Sequence, residues 1–160
     1  MQGTLQQPQG FPTRELSGLV YLPQPVRLLD TRTVGASPFA CYLPAAVIGT
    51  DTDNLYDVRI KCTGIPNVAR GIFGNITLLN MTANGFITMY PDSSLLRKDW
   101  GTPTKPITNR PFVATVNYRT AIAVQNQTFS IAIGANGKFW LYNTTSSTLD
   151  AIIDLVGYVK

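Results

Sequence analysis

The chain has 160 residues, enough for one domain around a single hydrophobic core and short for two. Charged residues make up 14% of it, against roughly a quarter in an average domain, and the net charge of +4 comes from scattered basic residues of which Arg97 and Lys98 are adjacent, so no basic stripe marks a nucleic-acid face. The sequence contains no histidine, which removes most catalytic triads, most zinc sites and the usual general base near neutral pH.

Residues 1 to 16 are rich in Gln, Pro and Gly and lack strand or helix periodicity. They read as an extended N-terminal arm, held either by its own domain or by a neighbouring subunit. The first residues carry neither the basic nor the apolar region of a secretory signal, so export by that route is not expected. Residues 17 to 160 are expected to form one domain. Short β-type segments recur there at 17 to 22, 26 to 30, 56 to 63, 72 to 80, 85 to 90, 113 to 118, 121 to 125, 128 to 133, 138 to 142 and 150 to 159. Between them, residues 33 to 55 and 91 to 112 hold Pro38, Pro44, Pro91, Pro103, Pro106 and Pro111, which interrupt ladder pairing and predict long surface loops. Asn84-Gly85 and Asn136-Gly137 suit the positive φ of tight turns and predict two antiparallel hairpins. So many antiparallel strands must close on themselves or stack; the expected fold is all-β, an antiparallel β-sandwich of two stacked sheets, jelly-roll or Greek-key like. No apolar run approaches the 18 or so residues that cross a bilayer, and no membrane partner is expected.

Arg27, Asp30 and Arg32 flank the apolar pair Leu28-Leu29, and Asp150 and Asp154 flank another apolar strand. These five are expected to form a structural ion-pair cluster across strands. A glycosidase-like use of Asp30 and Asp154 is the distant alternative. Asp51-Thr52-Asp53-Asn54-Leu55-Tyr56-Asp57 gathers oxygens on a loop but lacks the glycine and terminal glutamate of an EF-hand, and reads as a solvated turn; no metal or cofactor is expected. Cys41 and Cys62 match no metal spacing and are expected to be buried free thiols. The four sequons beginning at Asn75, Asn80, Asn126 and Asn143 are accounted for by an Asn- and Thr-rich composition. Alternation places Phe139 and Leu141 on one face of a strand and Trp140 and Tyr142 on the other, so at least one pair should fill the core. Leu5, Phe11, Leu95, Leu96 and Trp100, apolar groups on the arm and in the second loop, are candidate partner contacts.

Several of these pieces occur in a fixed order. Arg27-Leu28-Leu29-Asp30-Thr31-Arg32 is followed by Gly64-Ile65-Pro66, Ile76 to Thr82, Gly85-Phe86-Ile87-Thr88-Met89-Tyr90-Pro91, Val116-Asn117-Tyr118 with Asn126, Asn136 to Asn143, and Asp154-Leu155-Val156-Gly157-Tyr158. In this order the chain resembles the bacterial and phage-borne β-sandwich modules that carry an "RLLDTR" signature, over residues 25 to 159. The resemblance implies a β-sandwich without catalytic residues. The family's surface proteins are secreted and often tandem, whereas this chain shows one copy and no signal. The expected function is therefore non-enzymatic: a virion structural protein, the capsid decoration or cement protein of a tailed phage, assembled in the host cytoplasm. Its expected partners are itself, as a homotrimer, and the major capsid protein. The alternative is an adhesive or carbohydrate-binding module at the cell surface, with a glycan as partner.

Overall fold

In the computed structural model the described residues are 18–32, 47–94, 110–111, 113–144 and 147–160, and none of them is helical. They form eight strands: β1 (Leu19–Asp30), β2 (Thr52–Asp57), β3 (Gly71–Leu79), β4 (Gly85–Pro91), β5 (Val116–Tyr118), β6 (Val124–Ala132), β7 (Lys138–Asn143) and β8 (Asp150–Val159). One sheet has the order β1-β8-β3-β6 and the other β2-β7-β4-β5, every pair antiparallel. The first strand pairs with the last, the second with the seventh, the third with the sixth and the fourth with the fifth, which is the strand order of a jelly roll. The two stacked sheets of the expected sandwich are present.

The core lies between the sheets and follows the period-2 alternation of each strand. Ile72, Ile76 and Leu78 from β3 and Ala151, Ile153 and Leu155 from β8 meet Ile87 and Met89 from β4 and Phe139 and Leu141 from β7. The Phe139 ring packs on that of Tyr56 at 5.6 Å between centroids. Of the alternating pairs on β7, the one filling the core is Phe139 and Leu141.

Four expectations are corrected. The two Asn-Gly turns do not close hairpins: β3 and β4, and likewise β6 and β7, belong to different sheets, so Asn84-Gly85 and Asn136-Gly137 carry the chain across the sandwich. Gly137 does take positive φ, 77°, but at a corner. Segments expected separately at 17 to 22 and 26 to 30 are the single strand β1, and those at 121 to 125 and 128 to 133 are β6. β1 runs through Pro23 and Pro25 because it is an edge strand and its register with β8 shifts between Tyr21 and Val26, where ladder donors are not required. The solvated turn expected at Asp51 to Asp57 is strand β2 from Thr52 onward, which spans the end of the loop expected at 33 to 55 and the first two residues of the strand expected at 56 to 63, whose remainder is not a strand. The free-thiol expectation fails as well: Cys62 is disulfide-bonded, and the sequence has one other cysteine, Cys41.

Candidate functional site

The outer faces of the two sheets each carry one cluster of arginine and aspartate, and these are the chemically richest places among the described residues. On the first sheet the cluster is built by a bulge. Arg27 is opposite Asp154 and Leu29 is opposite Ile153, so Leu28 is an extra residue in β1. The bulge lets two consecutive residues, Leu28 and Leu29, both enter the core fully buried, which strict alternation forbids. Arg27 and Asp30 stay outside. Arg27 donates from Nε to Asp154 Oδ1 at 2.8 Å and lies 3.5 Å from Asp30 Oδ2. Arg32 holds Asp30 in a fork, Nε to Oδ1 at 2.9 Å and Nη2 to Oδ2 at 2.8 Å, and its backbone N–H also donates to Oδ1. The Arg32 side-chain bonds hold the Asp30 carboxyl below its usual range, against the opposing effect of burial.

Asp150 joins the same end through neutral partners. Thr31 Oγ1 donates to its Oδ1 and Asn80 Nδ2 to its Oδ2, both at 2.7 Å, while the Ala151 N–H donates back to Thr31 Oγ1. Asn80, the residue after β3, takes a φ of 54°, a conformation that asparagine tolerates well. The structure thus brings Arg27, Asp30, Arg32 and Asp154 into one chain of ion pairs and ties Asp150 to it through Thr31. Asp30 and Asp154 both face Arg27, so each has its oxygens committed to a guanidinium.

The second cluster was not legible. Asp53 on β2 accepts two bonds from Arg110, from Nε at 3.1 Å and from Nη2 at 2.5 Å, and one from the Tyr90 hydroxyl at 2.6 Å. The Arg110 guanidinium lies 3.5 Å above the Tyr142 ring, whose hydroxyl donates to Asp51 Oδ1 at 2.9 Å. Phe86 and Trp140 pack alongside, and the Trp140 indole N–H donates to Asp92 Oδ1. Tyr90 and Tyr142 are 2% and 8% exposed although they point away from the core, so the patch around them is packed over. Burial, with Asp53 and Asp51 as hydrogen-bond acceptors, pushes both phenols above their ordinary range and keeps them neutral.

A third feature is buried between the sheets. Tyr118 donates its hydroxyl to Asn143 Oδ1 at 2.6 Å, and Asn143 Nδ2 donates to the carbonyls of Gly49 and Ser147. Gly85 leaves room for that phenol: a Cβ there would lie 2.6 Å from the Tyr118 hydroxyl. Asn143 is fully buried and its amide is spent on these bonds, which leaves its sequon inaccessible in the folded chain. Leu5, Phe11, Leu95, Leu96, Trp100 and Cys41 lie outside the described residues. Among the described residues no group of three or more metal-ligating side chains converges.

No model of a known protein family matches this chain, and no curated protein matches it.

Proposed function

We propose that this chain is a non-enzymatic virion structural protein, a decoration or cement protein that binds the outside of a tailed-phage capsid and bridges its subunits. The observation that carries the reading is how the charged side chains are used: on a jelly roll, an architecture found in viral coat and lectin domains, the Arg–Asp clusters of both outer faces are spent on internal bonds that stiffen the sheets. A rigid sandwich of that kind supplies surface to a partner. The "RLLDTR" resemblance adds a phage-borne setting, and the structural part of that motif is the bulge that locks β1 to β8. In this reading the partners are the major capsid protein and further copies of the chain, and the place is the virion.

The direct test heats capsids of the source phage, stripped of this protein, with and without adding it back. Added protein is expected to raise the temperature at which they rupture, because each contact is formed only with intact lattice. Identical rupture temperatures would overturn the reading.

One observation favours the alternative of a cell-surface glycan-binding module. Tyr21, 69% exposed, packs edge-on against Phe73 at 5.3 Å, an aromatic pair open to solvent over Gly157. Glycan binding abolished by Tyr21→Ala with folding intact would support that reading, and an array of cell-wall and capsular sugars without hits would remove it.

A further inference from the structure

A sandwich of two four-stranded sheets has four edges, and three of these are blunted. β1 carries Pro23 and Pro25 and two register shifts. β2 is six residues long and bears Asp53 and Asp57. β5 has three residues, and the carbonyls of Thr115 and Asn117 beside and within it already accept from the side-chain amides of Gln127 and Gln125 on β6.

Among the described residues nothing pairs with the fourth edge. β6, Val124-Gln125-Asn126-Gln127-Thr128-Phe129-Ser130-Ile131-Ala132, is nine residues long and contains no charge and no proline. Val124, Asn126, Gln127, Thr128, Ser130 and Ala132 are exposed. No hydrogen bond from another described segment reaches its backbone beyond the ladder with β3. A straight, neutral edge of this length is a template for one more strand.

We propose that β6 pairs with β6 of a second copy of this chain, antiparallel about a two-fold axis at Thr128, fusing two four-stranded sheets into one of eight. The choice of occupant follows from charge. A two-fold contact sets the residue on the axis against itself, so any charge there repels its own copy, and a neutral edge on a chain of net charge +4 meets that condition. Centring on Thr128 engages the whole strand: Val124 meets Ala132 and Asn126 meets Ser130 on the outer face. Gln125 and Gln127 keep their bonds to the β5 side. The contact yields a pair in place of the trimer expected from the sequence, and it stands independently of the capsid reading.

Light scattering across a concentration series tests it, with Thr128→Lys and Thr128→Glu measured singly and mixed. The wild type is expected at twice the 17.5 kDa chain mass. Each variant alone is expected at the single-chain mass with an unchanged far-UV circular dichroism spectrum, since Thr128 is exposed, and an equal mixture is expected to recover the doubled mass as opposite charges meet across the axis. A wild type that stays monomeric throughout, one that forms trimers, or a dimer that neither substitution disturbs would each overturn the proposal.

Discussion

The two outer faces solve one problem, an arginine–aspartate pair on a sheet surface, in opposite ways. On the first sheet Arg32 keeps its side chain 45% exposed while Asp30 is 4% exposed, and the two are neighbours in sequence joined through a turn. On the second sheet Arg110 and Asp53 are 16% and 8% exposed, lie 57 residues apart, and are roofed by tyrosines. The first cluster can lose a partner and let water replace it. The second does so less readily, because a stranded guanidinium or carboxylate there has far less access to solvent.

Substitution separates the two. Asp53→Ala, which strands Arg110 and the Tyr90 hydroxyl, is expected to cost about 3–5 kcal/mol in denaturant unfolding; a cost below 1 kcal/mol would mean the roof opens to water. Ile153→Ala, in the core between the faces, sets the scale at about 2–5 kcal/mol through the cavity it leaves. Asp30→Asn keeps the shape, loses the charge that Arg32 grips, and is expected to cost about 1–2 kcal/mol. Arg27→Ala removes a pair whose members are 35% and 30% exposed and should change stability by no more than about 1 kcal/mol.

The pH profile of stability sharpens the same contrast. Asp30 has a folded pKa below its ordinary 3.8, so its contribution is present above that value and is lost as pH falls through the lower folded value. Asp30→Asn should flatten this acid limb. The tyrosines of the second sheet behave in the opposite sense. Tyr56, Tyr90 and Tyr142 have folded pKa values above the ordinary 10.0, so their contribution is intact below that pH and is lost as pH rises beyond it. Tyr90→Phe should reduce the alkaline limb and leave the acid limb unchanged, as followed by thermal melts across the pH range.

What could be read beforehand follows the same division. The first cluster was visible because Arg27, Asp30 and Arg32 flank two leucines at strand spacing and the β8 aspartates sit at matching positions. The bulge beneath it was not, since two adjacent leucines look the same whether alternation is kept or broken. Asp53 and Arg110 gave no local signal: one lies in what reads as an oxygen-rich loop, the other next to Pro111 in a Pro-rich stretch, and their meeting depends on which strands share a sheet. The Asn-Gly turns misled for the same reason. Their backbone preference for positive φ is local, but whether a turn closes a hairpin or crosses the sandwich is decided by the pairing of β1 with β8 and β2 with β7, a long-range outcome of core burial.

The proposal that this sandwich provides binding surface on a phage particle, with its charged clusters serving the fold, is tested most directly by co-sedimentation of the protein with purified capsids of a phage whose genome encodes it. Saturable pelleting at a fixed ratio to the capsid subunit, unchanged in Arg27→Ala, is the predicted result. Protein left in the supernatant at every concentration would contradict the account.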